Sequence, residues 1–231
     1  NNLHLTYDYD IGNYLETLVY YKKYNGDSWS EPIVLSENLP ESHANKLVID
    51  YNNRVYCFWF RSINNGTTYY KYMENGEWSD IFIPYNNNDF HAFSSCVVDS
   101  GNNLHWIGAH HYESQGTYDV RPIYFKYDYN SITWSNYIEI SQNRSSNYYD
   151  IDLSLDGLPL CVWKEYINDS LPPDYGTAYT FYNGIDWLLP EIIVENSHSQ
   201  TILIDNYNNP NIIDCENFEL GSKVVHYYYF L

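Results

Sequence analysis

Eight residues have types and spacings that could do chemistry. His43 and His198 each stand seven positions before an aspartate that closes an apolar run, Asp50 and Asp205. His91 stands eight before Asp99, and Tyr149 fills the same slot seven before Asp156. Imidazole and phenol groups at one recurring place could hydrogen-bond sugar hydroxyls or hold a metal ion. A repeated histidine could equally cap a strand. Trp59 and Trp163 occupy equivalent places at the end of apolar runs, where an indole stacks on a sugar face or wedges into a core. His110 and His111 open the densest polar and aromatic stretch, His110 to Asp119, and a similar one runs from Lys164 to Tyr175. Glu113, Glu165, Asp169 and Asp174 lie in those stretches and could act as paired carboxylates in glycoside hydrolysis. They could also be solvated acids in a chain with 30 Asp and Glu. No regular Asp-x-Asp series, serine triad or phosphate loop is present, so neither a cofactor nor a metal is expected.

Composition narrows the partners. Eleven Lys and Arg against 30 Asp and Glu leave a formal charge of -19, which repels a phosphate backbone, so no nucleic-acid partner is expected. Aromatics make up 19% of the chain, including 28 Tyr, which sets it apart from acidic disordered chains. The longest apolar runs are about six residues, against roughly 20 for a membrane-spanning helix, so no membrane insertion is expected. No charged-then-apolar leader opens the sequence. A length of 231 residues suits one all-β domain. Cys57, Cys96, Cys161 and Cys215 stand far apart inside apolar runs, and we read them as small buried hydrophobes.

Two markers recur along the chain. The first is a pair of aromatics, a turn and a tryptophan: Tyr20-Tyr21 to Trp29, Tyr69-Tyr70 to Trp78, Tyr124-Phe125 to Trp134, and Tyr179 to Trp187. The second is an apolar run ending in Asp50, Asp99, Asp156 or Asp205. Each period holds four short runs of β-branched and aromatic residues between Asn, Gly, Asp and Ser clusters. That pattern predicts an all-β β-propeller of four-stranded antiparallel blades, about five in this chain, or a window of a larger propeller. The expected domain is 1–231, with an incomplete first blade 1–37, blades 45–85, 94–140 and 150–194, and an incomplete last blade 200–231. Strand a of each blade is expected to be the most apolar. The four recurring tryptophans are expected to pin adjacent blades. Turns within blades are short on one face, and the connections at Pro84 to Phe90, His110 to Val120 and Tyr166 to Gly176 are long on the other. Function is expected on the long-loop face.

The run from Tyr20 to Pro32, followed by His43 to Trp59, resembles the repeat of bacterial sialidase-like propellers and of propeller lectins of the tachylectin-like and fucose-binding kinds. The strict Ser-x-Asp-x-Gly-x-x-Trp box of sialidases is absent, and none of Arg54, Arg61, Arg121 and Arg144 matches their catalytic arginines. The resemblance implies a fold and a style of surface. With the residues above it leads to a non-catalytic module that binds glycan, or cell-surface carbohydrate, through His43, Trp59, His91, His110, His111, Tyr149, Trp163 and His198. One alternative is a sialidase-like glycoside hydrolase with an axial carboxylate pocket. Another is a protein-interaction scaffold at a cell surface. The expected location is extracellular or at the cell surface.

Overall fold

The computed structural model describes residues 2–10, 17–61, 66–84, 90–114, 117–168, 174–195, 197–217 and 223–229. These form five separate antiparallel sheets. The first comprises β1 (Leu3–Asp10), β2 (Thr17–Tyr24) and β3 (Ile33–Val34) in that order. The second runs β4 (Ser42–Ile49), β5 (Val55–Arg61), β6 (Thr67–Glu74) and β7 (Glu77–Trp78). In the third, β8 (Phe90–Val98), β9 (Leu104–Ser114) and β10 (Thr117–Asp128) lead to β11 (Thr133–Trp134) and β12 (Ile138–Glu139), which both pair with β10. The fourth holds β13 (Ser145–Leu153), β14 (Pro159–Asn168), β15 (Asp174–Phe181) and β16 (Glu191–Glu195). The fifth holds β17 (Ser197–Ile204), β18 (Pro210–Asn217) and β19 (Lys223–Tyr229). The chain divides into two compact units, residues 1–93 and 94–231.

Side-chain oxygens close the hairpins. Between β4 and β5, Asp50 Oδ1 accepts the amides of Asn52 and Arg54 at 2.9 and 2.8 Å. Asp99 does the same for Gly101 and Asn103, and Asp205 for Tyr207 and Asn209. The fourth position of each turn has positive φ: Asn53 at 64°, Asn102 at 64° and Asn208 at 68°. Asn tolerates that left-handed conformation better than most residues, so the many asparagines have a mechanical cause. In the β13–β14 turn Gly157 takes this place at 76°, and Ser154 Oγ accepts the Leu158 amide at 3.0 Å. The structural counterpart of Asp50, Asp99 and Asp205 is therefore Ser154. Asp156, the sequence marker, is exposed two residues later.

The third connection of the sheets is equally regular. Asn25, Asp128 and Asn183 each accept two backbone amides with Oδ1. The serine after the tryptophan then stands in for a strand partner: Ser30, Ser79 and Ser135 accept the amides of Lys23, Tyr72 and Lys126 at 3.0–3.1 Å. Of the recurring tryptophans, Trp78 and Trp187 meet a tyrosine of the preceding sheet edge-on, Tyr21 and Tyr124, each at 4.9 Å. Trp134 packs within its own sheet against Trp106, and Trp29 is 43% exposed.

The core sits on the second strand of each sheet. Val55 to Trp59 of β5 and Pro159 to Glu165 of β14 are buried throughout. The expectation that the first strand is the most apolar is corrected: β8 carries Ser94 and Ser95, and β13 carries Asp150 and Asp152. Each first strand is an edge of its own sheet, and half of its backbone groups lack a ladder partner. Polar side chains from the neighbouring sheet supply one. Asp150 Oδ2 accepts the Ile202 amide at 3.1 Å and Asp152 Oδ2 the Ile204 amide at 2.6 Å. Ser94 Oγ accepts from the Tyr149 amide and donates to the Tyr149 carbonyl. Burial lifts the Asp152 carboxyl above its ordinary pKa, against the downward pull of its backbone bonds.

Among the free cysteines, Cys57, Cys96 and Cys161 are buried. The side chain of Cys215 lies outside the described residues.

The turn chemistry gives a paired prediction. Ser154→Ala removes the acceptor of a turn amide and costs about 1 kcal/mol in denaturant unfolding. Asp156→Ala, at the sequence marker, changes stability by less than about 0.5 kcal/mol.

Candidate functional site

The stretch from His110 to Val120 was expected to be a long loop. It is a hairpin instead. His110 pairs with Arg121, His111 with Val120, Tyr112 with Asp119, Glu113 with Tyr118 and Ser114 with Thr117. Alternating Tyr, Val and His residues favour extended pairing, which outweighs the polar composition. The second stretch behaves alike: Lys164 pairs with Thr177, Glu165 with Gly176 and Tyr166 with Tyr175. The side chains of interest therefore ride on paired strand ends of the second unit, where the ladder fixes their direction.

One face of β9 and β10 holds an anchored guanidinium. Arg121 donates through Nε and Nη2 to Asp119 Oδ2 at 3.1 and 2.9 Å, and through Nη1 to Glu139 Oε2 and Gln142 Oε1 at 3.2 and 3.1 Å. Its Cζ lies 4.8 Å from the centre of the Tyr112 ring. Two more cations sit on tyrosines nearby in the fold. Arg144 Cζ is 4.7 Å from the Tyr166 ring, and Lys164 Nζ is 3.9 Å from the Tyr175 ring. The two phenols share a 3.4 Å hydrogen bond, which together with burial raises the Tyr175 pKa. Cation–π contacts of this kind stabilise by about 0.5–2 kcal/mol and hold both partners in one geometry.

The opposite face of β14 is closed. Glu165 is 3% exposed, and its carboxylate accepts from Trp163 Nε1 at 2.8 Å, Asn143 Nδ2 at 2.8 Å and Ser141 Oγ at 3.1 Å. Beside it, Tyr149 Oη and Ser145 Oγ are 2.7 Å apart, and Ser145 donates to the Val120 carbonyl. Burial raises the Tyr149 phenol pKa.

The eight expected site residues divide accordingly. Trp59 and Trp163 are both fully buried, so neither ring offers a face to a sugar. Trp59 stacks on Tyr69 in the core of the first unit, and its Nε1 finds no acceptor among the described residues. His43 is half-buried, opposite Phe60 with the rings 5.9 Å apart. The side chains of His91 and His198, in β8 and β17, lie outside the described residues. Tyr149 is buried in the network above. His110 is buried against Tyr112, with ring centres 4.0 Å apart, and His111 takes the opposite face of β9.

Of the four candidate carboxylates, Glu165 is saturated with donors and Asp174 accepts from Asn168. Asp169 and the Glu113 side chain lie outside the described residues. Among the described residues no group of three His, Cys, Asp or Glu is placed to hold a metal. Sequence reasoning missed Arg121, Arg144 and Lys164 as site groups. The available signal was scarcity: a chain with so few cations places each of these three against a tyrosine.

The comparisons bear on the fold. No protein-family model matches the chain, and no curated protein does. Solved structures do match. An ulvan lyase, described as a new family of polysaccharide lyase and bound to GlcA(1-4)Rha3S, is 10% identical with a TM-score of 0.74 over 99% of this chain and 64% of its own. A Dyadobacter fermentans protein of unknown function is 11% identical with a TM-score of 0.72, covering 99% and 75%. A Hadza microbial sialidase is 12% identical with a TM-score of 0.62, covering 91% and 52%. This chain thus spans between about half and three quarters of the length of those proteins. At these identities the likeness shows the fold alone, coarsely a sialidase-like propeller.

Burial, with His110 beside it, pushes the His111 imidazole down to about 4 from an ordinary 6.5. A depressed histidine favours the folded state only while it is neutral. That stability is complete above about pH 6.5 and drains away as pH falls towards 4. His4 and His105 are lowered mainly by burial too and act in the same direction. We predict a lower Tm at pH 5 than at pH 7, and a smaller drop for His111→Gln in the same melting experiment.

Proposed function

We propose that this chain is a non-catalytic module that recognises carbohydrate at the outer ends of β9, β10, β14 and β15. The supporting observation is the set of tyrosines held under fixed cations there. Tyr166 and Tyr175 are half-buried, so each keeps ring surface at the edge of its sheet. A sugar has apolar C–H faces that stack on such rings and hydroxyls that need donors and acceptors of fixed direction. Arg144 is exposed and supplies donors already immobilised on the Tyr166 ring, which lowers the ordering cost of binding, while Lys164, 6% exposed, braces the Tyr175 ring from within. The nearby carboxylates favour binding over hydrolysis. Asp119 and Glu139 are engaged by Arg121, and Glu165 is buried with three donors.

The reading extends to the whole chain. We take residues 1–231 as one propeller domain of about five blades, three-stranded at 1–37 and 200–231, in the manner of propeller lectins. Its partner is a glycan, and its location outside the cell or at the cell surface.

A glycan array followed by calorimetry on the best ligand tests this. Tyr166→Ala and Arg144→Ala are each expected to weaken binding roughly tenfold or more. Their Tm should stay within about 3 °C of the parent. Cleavage of an array glycan, with products visible by mass spectrometry, would replace the binding module by a glycan-cleaving enzyme. Absence of any glycan ligand would remove both.

A further inference from the structure

The tetrapeptide Asn-Asn-Leu-His occurs twice, at residues 1–4 and 102–105. In the third sheet its second copy surrounds a carboxylate. Asn103 Nδ2 donates to both oxygens of Asp99, at 3.1 and 2.8 Å. His105 Nε2 is 3.1 Å and Lys126 Nζ 3.8 Å from Asp99 Oδ2. Behind the histidine, Tyr124 Oη lies 2.7 Å from His105 Nδ1. Burial pushes the Asp99 carboxyl up, but the bonds from Asn103 and His105 prevail and hold it below its ordinary value.

The first sheet repeats every part of this arrangement except the carboxylate. His4 pairs with Lys23 as His105 pairs with Lys126, and Leu3 with Tyr24 as Leu104 with Tyr127. Tyr21 Oη is 2.6 Å from His4 Nδ1. In the tautomer protonated at Nε2, the ring accepts from a phenol at Nδ1 and offers its N–H to a carboxylate. Where Asp99 sits in the third sheet, the first has a groove of about 600 Å³ lined by Asn2, His4, Lys23, Ile49, Asn53 and Asn75, among others. No Asp or Glu lines it, in a chain with 30 of them. Lys23 has no ion-pair partner among the described residues, unlike Lys126. The groove adjoins β1, the edge strand of its sheet, on which Leu3 and Leu5 are 57% and 43% exposed.

We propose that Asn2, His4 and Lys23 form a carboxylate-binding site, filled by the aspartate of an extended strand that pairs along the open edge of β1. The third sheet is the template: its carboxylate stands directly after β8, the strand paired to the histidine-bearing β9. Backbone bonds to β1 supply affinity, and the charge-assisted bonds at the aspartate set the register. A strand also covers Leu3 and Leu5, which a small free carboxylate leaves in water. This site stands apart from the carbohydrate reading, which concerns the second unit.

The test appends the sequence of residues 94–101, which ends in Val-Val-Asp-Ser-Gly, directly before Asn1. The extended chain then reproduces the order found at 94–105. Its Tm is expected to rise by about 3 °C or more, with a shift of the His4 ring signals in NMR. Exchanging the appended aspartate for asparagine removes most of the gain. So does Lys23→Gln in the extended chain, while Lys23→Gln alone leaves the unextended Tm nearly unchanged. No gain, or a gain that survives the asparagine exchange, overturns the site. Equal stabilisation of the unextended chain by saturating acetate overturns the strand as its occupant.

Discussion

The open edge of each sheet's first strand is the constraint on which the rest of this fold turns. Separate sheets of three to five strands leave edges, and every edge exposes alternate backbone amides and carbonyls. Burying such an edge without partners costs about 1–3 kcal/mol per group. The second unit meets the cost with side chains. Asp150 and Asp152 reach the amides of Ile202 and Ile204, Ser95 Oγ donates to Asp150, and Ser94 brackets Tyr149. Neighbouring sheets are thus joined by polar side chains bonded to backbone, with the apolar core one strand further along.

That arrangement also explains the polarity of the chain. Taking a carboxylate out of water is costly unless donors match its oxygens. Buried Glu165 and half-buried Asp99 and Asp150 are matched with partners from turns, edges or indoles. Part of the acidic excess is therefore structural, consumed in closing hairpins and capping edges. The asparagines follow the same logic at turn positions with positive φ, where a bulky or β-branched residue would be strained.

The architecture was legible in the sequence because it repeats. Strand-turn-strand units closed by Asn-Gly or Asp turns carry a local signal, and a period near 50 residues multiplies it. What escaped had non-local causes. The first strand was expected to be apolar because it lies between neighbours, but Asp150 is explained by donors on neighbouring sheets, Ser95 Oγ 55 residues before it and the amide of Ile202 52 residues after. Asp156 looked like the marker because its letter matched. The turn geometry places Ser154 there, and one oxygen is as good as another for accepting an amide. Trp59 and Trp163 have the residue type of a sugar platform, yet burial cannot be read from residue type. The cations on Tyr112, Tyr166 and Tyr175 were missed because each pairing joins residues that meet only once the hairpins form.

Those hairpins connect scaffold to site. His110 to Asp119 and Lys164 to Tyr175 look like loops by composition, and a loop would leave their side chains many directions. Pairing residue by residue along β9–β10 and β14–β15 fixes the alternation instead. Lys164 and Tyr166 face one way, while Trp163 and Glu165 face the other. The Glu165 network anchors one face of β14, so the other holds its half-buried phenol, with Arg144 against it, on a strand with little freedom to tilt. The same ladder and buried carboxylate that stabilise the sheet therefore preorganise the surface offered to a ligand.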